Sequence, residues 1–127
     1  MLERIREVLK KEKAVLFAYV FGSFVRSKKY AKDIDIAVFV KGKVPPDFER
    51  RLALKLERAV GKEVDVIVIN KKPTLLLSEI LRNCVLIFSR DEKRRVKFEM
   101  QALREILDYN ELIRQFDEKR FERYGIR

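Results

Sequence analysis

The sequence predicts an α/β domain, on three observations. Apolar runs of strand length recur at residues 14–21 (AVLFAYVF), 36–40 (IAVFV) and 64–69 (VDVIVI). Between and around them lie segments whose apolar residues fall at helical spacing. Breakers at Gly22, at residues 41–46 (KGKVPP) and at Gly61 punctuate the alternation. With 127 residues, 47% of them apolar, the chain suits one domain around one core.

Taken in order, residues 2–13 read as a helix, with Leu2, Ile5, Val8 and Leu9 on its apolar face. A strand follows over 14–21, and the Gly22-Ser23 turn opens a short helix near 23–29. The second strand is placed at 33–40. Asp47 is suited to cap a helix running to about Val60, with Phe48, Leu52, Leu56 and Ala59 as its buried stripe and Gly61 as its stop. A third strand is expected over 63–69, a helix over 74–83 and a short fourth strand over 84–88. From about Asp91 to Tyr124 the pattern is one or two long amphipathic helices. Their apolar marks are Val96, Met100, Leu103 and Leu107, then Leu112, Ile113 and Phe116, with aromatics at Phe98, Tyr109, Phe121 and Tyr124. So small a core has little room for thirty helical residues, which leaves open whether that stripe is core or partner surface.

Composition removes several function classes. No apolar stretch approaches membrane-spanning length, and residues 1–13 lack the continuous apolar segment of a secretory leader. The single cysteine, Cys84, excludes an internal disulfide framework, fits a cytoplasmic setting and reads as a small buried hydrophobe. Histidine is absent, which removes His-based acid–base chemistry and leaves Ser23 without a base for a serine triad. The formal charge is +10, and residues 1–62 hold 16 Lys/Arg against 8 Asp/Glu. That places the excess around the Gly-Ser turn and its flanks: Lys10, Lys11, Lys13, Arg26, Lys28, Lys29, Lys32, Lys41 and Lys43. Such a surface attracts polyphosphates, nucleic acid or an acidic protein face, although it also serves solubility and heat adaptation.

The chemistry concentrates at three carboxylates. Asp33 and Asp35 are two apart on a strand and therefore share a face, and Asp65 stands on a neighbouring strand. Divalent ions held by two or three such groups stabilise the charge that builds up when a nucleoside monophosphate leaves a triphosphate. Gly22 lets the backbone approach phosphates closely, Ser23 offers a hydroxyl, and Arg26 a fixed fork of donors. Asp65 is placed to accept the proton of an attacking hydroxyl.

The residues VFGSFVRSKKYAKDIDIAVFV followed by EVDVIVIN resemble the nucleotidyltransferase superfamily that includes DNA polymerase beta. Small size and the segment IFSRDEKRRVKFEMQALREILDY resemble its minimal nucleotidyltransferase (MNT) branch, many members of which are antitoxins paired with HEPN ribonuclease toxins. The resemblance implies a minimal polymerase-beta-like fold: a small mixed sheet flanked by helices, with a long C-terminal helix. It implies one domain over 1–127, its motif core at 14–69 and its helical segment at about 91–124. By position, Gly22 and Ser23 match the triphosphate-binding turn, Arg26 a phosphate-contacting arginine, and Asp33, Asp35 and Asp65 the metal carboxylates. Ser27 departs from the glycine that commonly follows the arginine. The implied activity uses ATP and Mg²⁺, or Mn²⁺, to transfer AMP to a protein hydroxyl, a tyrosine of a HEPN toxin. A homo- or hetero-oligomer is compatible with this, and no membrane is involved. Two other functions compete: a toxin-binding subunit without catalysis, and a transferase acting on a small molecule or an RNA end. The second ranks lower, because no base-stacking aromatics interleave with the N-terminal lysines and nucleic acid is not the expected direct substrate.

Overall fold

A computed structural model describes the backbone of residues 1–26 and 32–124 and the side chains of residues 1–25 and 32–119. The elements follow in the order α1 (Leu2–Lys11), β1 (Val15–Phe21), α2 (Ser23–Arg26), β2 (Asp33–Val40), α3 (Phe48–Val60), β3 (Glu63–Val68), α4 (Thr74–Arg82), β4 (Cys84–Ser89) and α5 (Glu92–Tyr124). Every expected element is present among the described residues, and the boundaries differ by a residue or two. The first helix stops short because Glu12 turns to an extended backbone and its carbonyl accepts the Val15 N–H at 3.0 Å. Residues 27–29 of the expected short helix lie outside the described residues.

One four-stranded sheet forms in the order β3-β2-β1-β4. β1 runs antiparallel to both β2 and β4, and β2 is parallel to β3, so the sheet is mixed as expected. On one face Ile34, Ile36 and Val38 pack with Ile5 and Leu9 of α1 and Leu52 and Leu56 of α3. Each fully buried Ile or Leu there contributes about 1.5–3 kcal/mol of burial free energy. The other face carries Phe17, Tyr19, Ala37 and Phe39, covered by Leu77 and Ile80 of α4 and Ala102 of α5. Phe17 stacks on Phe39 at 4.7 Å between ring centroids, and Phe98 leans on both at 5.6 and 5.3 Å.

Three local expectations need adjustment. Asp47 does occupy the N-cap position of α3, but its carboxylate reaches Arg51 at 3.5 Å and bonds no helix N–H. Gly61 ends the helix at φ +71°, with its N–H on the Glu57 carbonyl, as its type suggested. Cys84 is only half-buried, at the start of the edge strand β4, and burial pushes its thiol pKa up.

The largest adjustment concerns α5. It is one helix of 33 residues, roughly 50 Å long, and the sheet beneath it is four strands wide. Its landing face is Arg95, Phe98, Glu99 and Ala102, which lie three or four apart. Val96, Met100, Leu103, Leu107, Leu112, Ile113 and Phe116 are all exposed. The apolar stripe left open by sequence therefore faces solvent; the Phe121 and Tyr124 side chains fall outside the described residues.

Candidate active site

The carboxylates meet at the pole of the sheet where β1 ends and β2, β3 and β4 begin. Asp65, Asp35, Phe21 and Cys84 stand side by side as one rung across all four strands. Asp33 lies one pleat before Asp35 on the same face. One carboxylate oxygen from each of Asp33, Asp35 and Asp65 falls within 4.8 Å of the others. The strand's alternation enforces this placement. Ile34 and Ile36 are fully buried on the opposite face, so a one-residue slip would drive two carboxylates into the core.

Gly22 forms the floor beside them. Its φ is +77°, and a Cβ built there would stand 2.3 Å from Asp35 Oδ2. Only glycine satisfies both the backbone conformation and the close approach. The next residue, Ser23, is exposed at the start of α2, and Phe24 is buried and anchors the turn to the core. The Val25 N–H bonds the Gly22 carbonyl at 3.2 Å. Arg26 closes α2; its side chain, like Ser27, lies outside the described residues.

Electrostatics at the cluster are strained. Desolvation raises the pKa of Asp35 above the ordinary carboxylate range, and the negative charges of Asp33 and Asp65 raise it further. Three hard oxygen donors gathered this closely suit a divalent cation and do not suit a soft metal. Asp33 and Asp35 are half-buried, whereas Asp65 is exposed at the open edge of the cluster.

Five of the nine cations that the sequence suggested around the turn lie elsewhere. Lys10, Lys11 and Lys13 precede β1, and Lys41 and Lys43 follow β2, so they belong to the far pole of the sheet. A seven-residue strand separates the poles by roughly 20 Å. At the carboxylate pole the described residues offer Lys32, Lys62 and Arg82, which precede β2, β3 and β4; Lys28 and Lys29 lie outside them.

Several supporting residues carried no sequence signal. Asn70 closes the β2–β3 edge, with Oδ1 accepting the Val40 N–H at 2.9 Å and Nδ2 donating to its carbonyl. Arg90 donates to the carbonyls of Val15 at 2.8 Å and of Leu9 and Lys10 at 3.0 Å, which satisfies the open end of α1. Tyr19 donates to Glu99 at 2.6 Å, and Arg95 holds the same carboxylate through two bonds, which ties α5 to β1.

Residues 3–93 match the family model described as polymerase beta, nucleotidyltransferase. The chain belongs to this family. This nucleotidyltransferase is 44% identical over 70 residues to a Methanocaldococcus jannaschii protein to which protein adenylyltransferase activity is attributed; the match covers 54% of this chain and 74% of the relative. Its fold is also that of two solved complexes. A toxin–antitoxin crystal structure with AMP-PNP superposes at TM-score 0.72 and 21% identity, covering 95% of this chain and 96% of the other. An MNT antitoxin in complex with a tri-AMPylated HEPN toxin of Shewanella oneidensis superposes at 0.70 and 20%, covering 95% of each. The correspondence therefore includes nearly the whole nucleotidyltransferase, and no helix among its described residues is long and apolar enough to cross a membrane.

Proposed function

We propose that this nucleotidyltransferase transfers AMP from ATP to a hydroxyl of a partner protein, a tyrosine of a HEPN toxin, and so acts as an antitoxin. The observation that carries the reading is the cluster of Asp33, Asp35 and Asp65 against the Gly22 turn. The relative's attributed activity and the toxin complexes of its structural neighbours support the choice of acceptor.

In this reading the three aspartates hold Mg²⁺ or Mn²⁺, whose charge, when bound, offsets that of the triphosphate and the departing pyrophosphate. Gly22 leaves room for phosphate oxygens at the floor of the site, and Ser23 donates its hydroxyl to them. Arg26 contacts the phosphates farther from the reacting atom. Asp65, at the open edge, takes the proton of the incoming hydroxyl. The acceptor oxygen forms a bond to the α-phosphorus, the bond from that phosphorus to the α,β-bridging oxygen breaks, and pyrophosphate leaves.

A second reading is favoured by α5, whose exposed apolar residues run along most of its described length. Here the chain neutralises its toxin by binding alone. One experiment separates the two. The purified protein is mixed with its genomic neighbour, Mg²⁺ and ATP labelled at either the α- or the γ-phosphate. AMP transfer predicts label on the partner from α-labelled ATP alone, abolished by Asp33→Asn. A stable complex that acquires no label sinks the catalytic reading in favour of the binding one.

A further inference from the structure

The pole opposite the carboxylates is basic, and nucleotidyl transfer makes no use of it. Two adjoining grooves of about 450 and 390 Å³ lie there and share Asn70, Lys71 and Lys72 as a common wall. In the first, α5 contributes Arg94 and Lys97 to a wall that also includes Phe39 and Phe98. In the second, the loop after β2 contributes Lys43. Five cations from three separate segments thus line one continuous track.

These cations are uncompensated. Among the described residues, none of Lys43, Lys71, Lys72, Arg94 and Lys97 has an ion-pair partner, whereas Arg95 is clamped between Glu92 and Glu99. Two carboxylates line the grooves, Glu49 and Glu105, and Glu49 is already engaged with the Val68 N–H at 3.0 Å. The Arg94 guanidinium is held over the Phe39 ring, 5.5 Å from its centroid. Unpaired cations along a concave surface concentrate anions there.

The shape and surroundings select the anion. A track spread over two grooves exceeds what one phosphate group needs, and each groove has a small-ligand volume, the scale of individual nucleotides rather than of a duplex. Protein interfaces gather apolar side chains at their centre and deplete charge. Here the large exposed apolar residues, Met100, Leu103, Leu107, Leu112, Phe116 and Val85, do not line either groove, Val44 being the exception. We infer that this track binds the phosphodiester backbone of single-stranded nucleic acid, separately from the triphosphate at the carboxylates.

The test is fluorescence anisotropy of a labelled 12-residue oligoadenylate with the full chain, without ATP or divalent metal, so that its outcome is independent of the transfer reaction. Four phosphate contacts predict a log–log salt slope of about −3, hence roughly 50-fold weaker binding at 200 than at 50 mM salt. Lys71→Gln with Lys97→Gln should weaken binding at least about 10-fold and halve that slope. Arg58→Gln with Lys119→Gln, an equal charge loss on α3 and the distal part of α5, should change it less than about twofold. Equal losses in both double variants would reduce the effect to diffuse net charge and overturn the proposal, as would an absence of binding at 50 mM salt. Displacement of the 12-mer by tripolyphosphate or polyglutamate at equal charge concentration would overturn it as well, assigning the track to a compact polyphosphate or an acidic protein.

Discussion

A side-chain carbon on Gly22 would stand 2.3 Å from Asp35 Oδ2, so the turn and the carboxylate are fitted to one another. Gly22→Ala must therefore either move Asp35 or open the turn, while also holding an L-residue at φ +77°. The backbone term costs about 1–2 kcal/mol. If Asp35 holds metal as proposed, displacing its carboxylate by an ångström lowers transfer about 100-fold. Thermal melts and single-turnover labelling of the partner check both; an Ala variant with the parental rate would mean the turn does not position Asp35.

Asp35 should trade stability for function. Its folded pKa is raised by desolvation and by Asp33 and Asp65, so the folded protein retains a proton that the unfolded chain releases near pH 3.8. Between that pH and the raised folded pKa the folded state binds more protons, and metal-free stability falls as pH rises. Asp35→Asn removes the repulsion. The variant should melt higher than the parent at pH 7 in chelator, lose that advantage at pH 3.5, and transfer no AMP. A lower melting temperature at pH 7 would show that Asp35 is stabilised by contacts other than those of the triad.

The clustering of the carboxylates was legible because its signals are local. Asp33 and Asp35 alternate with fully buried Ile34 and Ile36, and a period of two allows one register only. Gly22 declared the turn, though not its close approach to Asp35, which depends on the pairing of β1 with β2. Asn70 and Arg90 could not be read, since their partners lie 30 and 75 residues away and a lone Asn or Arg has no periodicity. Lys10, Lys11, Lys13, Lys41 and Lys43 were misplaced for a related reason: residues close in sequence to a motif are carried to the other pole by an intervening strand. On α5 periodicity identified a helix with apolar residues but not which stripe meets the sheet. Phe98 and Ala102 do, and the longer run from Val96 to Leu107 does not.

Arg90 is expected to matter for folding and not for transfer. Its guanidinium satisfies carbonyls at the end of α1 and at Val15, far from the carboxylates, and its Cζ sits 4.9 Å from the Phe88 ring centroid. Arg90→Ala should cost about 2 kcal/mol, because several acceptors lose a charged donor together. Arg90→Lys should recover only part of that, since an ammonium cannot reproduce the planar fork. Urea unfolding measures the loss; unchanged stability in the Ala variant would show that water replaces the guanidinium without penalty.

The exposed stripe on α5 separates folding from partnership. Leu112 and Phe116 are each 63% exposed and belong to neither core cluster, so their apolar surface contributes little to the isolated fold. Leu112→Glu with Phe116→Glu should leave the melting temperature within about 3 °C, as for surface positions generally. If the helix is where the proposed toxin partner seats, the same pair buries two apolar side chains on binding, and replacing them with carboxylates weakens the complex at least about 100-fold. Sedimentation of the variant with its genomic neighbour reads that loss directly. An intact complex would place the proposed partner elsewhere on the chain and leave α5's apolar surface without a role in binding it. A lost complex with AMP transfer also lost would make α5 the means by which the acceptor hydroxyl is brought to Asp65, joining the two readings of function into one.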